Sequence, residues 1–296
     1  MVKESGTFLE SGTFLKKDDM VIRSVWIAIA ISVMAVPAMA QQRPLVTEDP
    51  ETVGVNRVLV EGGMEFDKSQ SYPAYGLTGD VTHGPTVGVS VGISPNAELQ
   101  VDWGLLQRLH VTSQKIAPLS GTLRFEGENV SSLEDLTVAT KLRLLSENEQ
   151  HPGFGIRFGT KLPTSSKSSG LGLGTTDFFA GILVAKTVRS VRTVGNVSLL
   201  VLGNPVAAQD PLRAIGLGLS VARAITNEFE AVGEVNGHME PFGSAIHPGL
   251  ESRGVFRLAG RYTHDLLRFD LGLLVGMTSR DPSFGVSAGA TYVFGQ

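Results

Sequence analysis

The sequence predicts an all-β fold: a closed antiparallel up-and-down transmembrane β-barrel of about 12 strands, preceded by a cleaved signal peptide. Three observations lead to this prediction. Apolar residues recur at every second position along most of the chain, which is the period of a strand with one apolar face. An apolar run near the N-terminus ends in a small-residue cleavage site. The connections between the predicted strands alternate between long and short, as they do in bacterial outer-membrane barrels.

The composition agrees with this fold class. The chain has 296 residues with 35 Gly, no Cys, 18% charged residues and a formal charge of -4. Many glycines and few charges favour strands over helices, because glycine is costly inside a helix. Outside the N-terminal run no stretch of about 18 apolar residues occurs, which excludes a helical membrane protein. The small negative charge argues against nucleic-acid binding, and the lack of Cys excludes thiol chemistry.

The N-terminal region has the pattern of an export signal. Arg23 supplies a positive start, residues 25–36 form an apolar core, and Ala38 and Ala40 flank a small-x-small site. This core is too short for a transmembrane anchor, so we predict cleavage before Gln41.

The chain therefore divides into three predicted parts. Residues 1–40 are an N-terminal extension and signal peptide, 41–55 a periplasmic lead-in that could tuck against the barrel mouth, and 56–296 an outer-membrane β-barrel. Within the first part, a tandem repeat fills positions 4–15, and we hypothesise that Met20 is the true start.

The last predicted strand gives the clearest alternation. From Phe284 to Phe294 every second residue is apolar and those between, except Val293, are small or polar. An edge strand of a soluble sandwich would look the same, so this strand alone does not decide the fold. The faces of strands six and seven stay open, because both contain apolar runs. The 12 predicted strands are 58–67, 87–93, 98–105, 135–144, 154–162, 176–187, 191–202, 215–221, 228–236, 256–262, 268–275 and 284–294.

The connections distinguish a barrel from a sandwich. Both termini of a bacterial barrel lie in the periplasm, so connections should alternate long and short from strand one. Only 277–283 is shorter than this rule expects. The predicted outer connections are 68–84, 109–132, 163–175, 203–212, 238–252 and 277–283, and the inner ones are 94–97, 146–152, 188–190, 226–227 and 264–266.

Charged residues occupy the polar faces of several strands and are sorted by sign. Acids on strands three and nine should face bases on strands four and ten, because sequential strands are neighbours. We predict a narrow, self-neutralised lumen; solvated side chains without a specific role are the open alternative. The predicted pore-lining residues are Glu61, Glu65, Glu98, Asp102, Lys141, Arg143, Arg157, Lys161, Glu230, Glu234, Arg257 and Arg261.

Catalytic and cofactor motifs are weak. No two of the six His have metal-ligand spacing. The glycine-rich run 170–174 lacks the helix and following acid of a dinucleotide site, and the serine-rich run 165–169 lacks a nucleophile elbow. We therefore predict no metal, no cofactor and no enzymatic activity.

Short motifs in a fixed order resemble a known family. The resemblance spans nearly all of 41–296 and is to the outer-membrane proteins described as phenol-degradation meta-pathway transporters. It implies an outer-membrane channel with hydrophobic or aromatic substrates, and it supplies no site residues. The motifs are RPLVTEDPETV at 43–53, VEGG at 60–63, ISPNAE at 93–98, EDL at 134–136, KLPT at 161–164, TD at 176–177 and GE at 233–234.

The sequence thus predicts a bacterial outer-membrane channel that passes small solutes without acting on them chemically. A structural or adhesin-like barrel that acts through its external loops is the alternative, and an outer-membrane enzyme is a third possibility without a motif. The predicted partners are outer-membrane lipid, the barrel-insertion machinery and a small-molecule solute.

Overall fold

The computed structural model describes residues 43–206, 211–240 and 251–295. Two short 3₁₀ turns, Ser120–Thr122 and Lys167–Ser169, accompany the strands. No helix in these ranges is long and apolar enough to cross a membrane. The strands within them are β1 Val58–Tyr72, β2 Leu77–Ser94, β3 Ala97–Gly104, β4 Gln107–Gln114, β5 Asn129–Ser132, β6 Leu136–Leu145, β7 Gly153–Leu162, β8 Asp177–Val188, β9 Val191–Leu202, β10 Leu212–Ala224, β11 Phe229–Met239, β12 Arg253–His264, β13 Leu267–Gly276 and β14 Phe284–Phe294.

These strands form one closed antiparallel sheet. β1 pairs with β2 on one side and with β14 on the other, in register from Val58 opposite Phe294 to Lys68 opposite Phe284. β2 pairs with β3 along one half of its length and with β4 along the other half. β3 pairs in turn with β6, and β4 pairs with β5. β3 with β4, and β5 with β6, each act as one interrupted strand. The prediction of a closed barrel of 12 strands is therefore confirmed.

Burial alternates along the strands as a barrel in lipid requires. On β13, Leu271 and Leu273 are 63% and 61% exposed, whereas Asp270 and Leu274 are 5% and 2% exposed. The apolar face therefore points outward and the polar face inward. The same rule settles the faces of β8 and β9. Phe178 on β8 and Val197 on β9 are exposed, whereas Leu183 on β8 and Val194 on β9 are buried.

A charge on the outward face should be poorly tolerated. Leu271 lies near the middle of β13, so Leu271→Arg should destabilise the folded barrel by about 2–4 kcal/mol. Urea unfolding from liposomes measures this loss, with Leu271→Met as the control that keeps an apolar side chain. Equal midpoints for the two variants would show that Leu271 does not face lipid.

Several outer connections are shorter than the sequence predicted. β1 and β2 extend well past their predicted ends, so the supposed loop 68–84 is a hairpin with a connection at 73–76. Likewise β4 and β5 occupy parts of 109–132. Polar residues in these extensions break the apolar alternation, which hid the strands from a pattern search. Most of the predicted loop 238–252, like the signal peptide and Met20, lies outside the described residues.

Candidate functional site in the barrel lumen

The lumen is occupied by the chain's own segment 43–53, here called the inner segment. Its first described residue, Arg43, donates through Nη1 to the Thr86 hydroxyl at 3.1 Å and through Nη2 to the Ala288 carbonyl at 3.2 Å. The Arg261 Nε donates to the Arg43 carbonyl at 3.1 Å. One end of the segment therefore lies against β2, β12 and β14. The sequence predicts a lead-in that could tuck against the barrel mouth, whereas the structure places 43–53 inside the lumen.

A single carboxylate on β11 holds the next part of the inner segment. Glu234, 2% exposed, accepts from the backbone N–H of Val46 at 2.9 Å and from that of Thr47. The same carboxylate pairs with Arg257 Nη1 at 3.0 Å. Glu234 is thus the point where a lumenal ion pair also binds the backbone of the segment.

Three acids of the inner segment pair with bases on the opposite wall. Glu48 contacts Lys141 at 3.3 Å and Arg157 at 2.9 Å. Asp49 accepts from Arg192 Nη2 at 2.7 Å.

The third acid, Glu51, pairs with Arg143. The segment therefore connects the β11–β12 side of the lumen to the β6–β9 side through charges.

Apolar contacts add to this polar network. Leu45 packs against Ala222 and Val232, and Val53 packs against Leu59 and Val293.

Thr47 lies directly over Gly218, where an added Cβ would be 3.6 Å from the Thr47 Cβ. Glycine at position 218 leaves room for the segment to cross the lumen at this level.

The structure brings many of the predicted pore-lining residues together. As predicted, acids face bases across neighbouring strands, in the pairs Glu98–Lys141, Glu230–Arg261 and Glu234–Arg257, each at 3.0 Å. Contacts between more distant strands join Glu65 to Arg257 at 3.3 Å and Asp102 to Arg157 at 3.7 Å.

The other predicted residues have partners that the prediction did not include. Arg143 pairs with Glu51, and Lys161 pairs with Asp135 at 3.4 Å and Asp177 at 2.7 Å.

Glu61 accepts from the Arg43 backbone N–H at 3.5 Å. The role of all these residues in lining a conducting pore stays a prediction.

Sequence reasoning missed the charged residues of the inner segment. Arg43, Glu48, Asp49 and Glu51 have no strand periodicity, so nothing in their local pattern placed them in the lumen. One signal was available: three acids lie within four positions, 48–51. They match bases near the inner ends of β6, β7 and β9.

Beside Arg43 the lumen retains a cavity of about 280 Å³. Its lining includes the carboxylates of Glu61, Asp102 and Glu134 together with Arg43. Within the described ranges, no group of three or more His, Asp or Glu is arranged to hold a metal ion. The arrangement can bind and orient polar groups through charge; it contains no metal-ligand set in those ranges.

A closed ring with an apolar exterior and a charged interior defines an outer-membrane-type β-barrel. No family model matches the sequence, and no curated protein matches it either. Solved structures do match, and they support this fold class. An outer membrane channel from Pseudomonas putida F1 is 14% identical, with a TM-score of 0.59, covering 83% of this chain and 98% of that one. At 14% identity the similarity shows a shared fold and nothing more.

Two further barrels are similar in outline. The translocator domain of the autotransporter NalP from Neisseria meningitidis is 12% identical, with a TM-score of 0.48, covering 94% of this chain and 96% of that one. LpxR from Salmonella typhimurium is 7% identical, with a TM-score of 0.44, covering 81% of this chain and 100% of that one.

The prediction that this chain is not an enzyme, which rests on the absence of catalytic motifs, is wrong as an exclusion. The barrels that match include an enzymatic outer-membrane barrel, LpxR. One fold hosts unrelated functions, so the barrel alone does not exclude catalysis.

Proposed function

We propose that this protein is a bacterial outer-membrane channel that passes small solutes, including hydrophobic and aromatic ones, through a narrow charged lumen. The observation that carries the proposal is the closed ring of strands around an interior of paired charges. Ionised side chains inside a lipid-embedded barrel require water and counter-charges, so such an interior offers a polar path across the membrane. The similarity in fold to an outer membrane channel is consistent with this function.

The finer assignments belong to the same proposal. Membership in the phenol-degradation meta-pathway transporter family rests on the ordered motifs from 43–53 to 233–234. Export through a cleaved signal peptide rests on residues 20–40. Outer-membrane lipid, the barrel-insertion machinery and the transported solute are the proposed partners, and the outward apolar face supports the first of them.

Reconstitution tests the channel function. The refolded protein in planar bilayers should give small, discrete conductance steps in potassium chloride. Proteoliposomes at neutral pH should take up small polar or ionised solutes such as arabinose or benzoate faster than protein-free liposomes. Neither conductance nor uptake across such a panel would overturn the channel proposal.

A second candidate is an adhesin-like barrel that acts through its outer end, opposite the chain termini. The observation in its favour is a packed apolar cluster where three outer connections meet. Tyr75, 1% exposed, packs with Leu77 and Leu109 and donates its hydroxyl proton to the Gly172 carbonyl at 2.6 Å. Replacing 115–128 by a short linker should leave transport intact if the protein is a channel. Loss of cell or surface binding on this replacement, in a protein that shows no transport in either form, would favour the adhesin.

A further inference from the structure

We propose that the inner segment is a gate that opens the pore by withdrawing from the lumen as one unit, an inference that rests on the channel function proposed above. Four features support it. The wall bases that hold the segment have other partners on the wall, and the barrel closes without the segment. A glycine turn at residue 54 joins the two, and withdrawal changes the net charge of the lumen.

The wall bases that hold the segment each have a second partner on the wall. Lys141 contacts Glu98 at 3.0 Å, and Arg157 contacts Asp102 at 3.7 Å. Removing one member of a buried ion pair is costly because it leaves the other charge unpaired. Here the wall supplies a substitute, so withdrawal of Glu48 leaves both bases paired.

The other two wall bases that hold acids of the segment also have further partners on the wall. Arg192 contacts Glu147 at 2.9 Å, and Arg143 donates to the Pro95 carbonyl at 2.9 Å. On the opposite side Glu234 keeps its pair with Arg257 when the amides of the segment leave. The acids of the segment itself would pass into water, where they need no protein partner.

The barrel does not depend on the inner segment for closure. Residues 43–53 contribute no strand, and β1 already pairs with both of its neighbours. Regions with few buried apolar contacts open at lower free energy than the core of a fold. Four side chains, those of Pro44, Leu45, Pro50 and Val53, supply the aliphatic burial of the segment, whereas the contacts of its charged residues are polar.

A glycine turn joins the segment to the barrel. Gly54 has φ +87°, a conformation that glycine adopts without the steric cost of a side chain. Its carbonyl accepts from the Arg57 N–H at 3.3 Å and would lie 1.7 Å from a Cβ added at Gly92. The contact with Gly92 holds the turn against β2. The glycine at position 54 can absorb a change in its own φ and ψ angles, as a hinge residue must.

Withdrawal also changes the charge of the lumen. The segment carries one arginine and three acids, a sum of 1 − 3 = −2. The open lumen is therefore more positive than the closed one by two charges, and it should favour anions relative to the closed state.

A disulfide across the lumen tests the gate. Cβ atoms in disulfides are about 3.5–4.5 Å apart, and the pair Thr47→Cys/Gly218→Cys has a Cβ separation of 3.6 Å in a chain without native Cys. Oxidation should lower the conductance in planar bilayers by about tenfold or more, since it removes the open population, and dithiothreitol should restore it.

The matched control joins two wall positions and leaves the segment free. Ser198 and Gly216 are opposite each other on β9 and β10, and a Cβ added at Gly216 lies 3.5 Å from the Ser198 Cβ. Oxidation of Ser198→Cys/Gly216→Cys should leave the conductance unchanged. Equal conductance of the oxidised and reduced Thr47→Cys/Gly218→Cys protein would overturn the gate while leaving the channel function intact.

A labelling assay separates the two proposals. In single Thr47→Cys protein, a bulky thiol reagent should react slowly but measurably as the segment opens, and the oxidised double variant should not react. Labelling without any conductance would show that the segment moves, but it would overturn the channel function and the gate with it. No labelling of the folded single variant, with normal conductance, would overturn the gate.

Discussion

Lys141→Met is expected to destabilise the barrel by about 3–5 kcal/mol, the usual cost of removing one partner from a buried ion pair. The Lys141 side chain is 1% exposed and lies between Glu98 at 3.0 Å and Glu48 at 3.3 Å. Without the ammonium group, two carboxylates with side chains 0% and 5% exposed face each other. The urea midpoint for unfolding from liposomes measures the loss.

Two variants isolate the cause of this effect. Lys115→Met makes the same change at an exposed position and should alter stability by less than about 0.5 kcal/mol. Lys141→Met/Glu98→Gln removes one of the two carboxylate charges that Lys141→Met leaves without the ammonium group. It should therefore recover part of the lost stability, and a double-mutant cycle quantifies this recovery. A midpoint for Lys141→Met equal to that of Lys115→Met would contradict the role of Lys141.

Glu234→Gln should loosen the inner segment without opening the barrel wall. The neutral amide gives up the charge-assisted bonds to the Val46 and Thr47 N–H groups, each contributing about 1.5–3 kcal/mol at a charged acceptor. A net loss of about 2 kcal/mol would raise the opening equilibrium about 30-fold. The rate at which a thiol reagent labels Thr47→Cys, measured with and without Glu234→Gln, reports this change.

Glu230→Gln is the matched control for that variant. Glu230 lies on the same strand and pairs with Arg261 at 3.0 Å, with 32% of its side chain exposed. It should leave the labelling rate of Thr47→Cys within about twofold, because exposed ion pairs contribute little. An equal increase for both variants would mean that charge on β11, rather than the contact with the segment, controls opening.

Short-range pairings were predictable from the sequence because neighbouring strands in an up-and-down sheet are adjacent in the chain. Glu98 opposite Lys141 and Glu234 opposite Arg257 follow from that rule and the two-residue period. The link from Glu65 to Arg257 does not, since it joins β1 to β12 across the interior. The interruption between β3 and β4 also escaped prediction, because its apolar Leu105 and Leu106 look like strand residues.

The sequence by itself determined the barrel, its strand number and the charge sign of the polar faces of strands three, four, nine and ten, because lipid imposes a period of two on every strand that it surrounds. The tertiary structure alone decided what fills the interior. A segment without periodicity is positioned by charges from strands far away in the chain, and only the closed ring brings Glu48, Lys141 and Glu98 to one point.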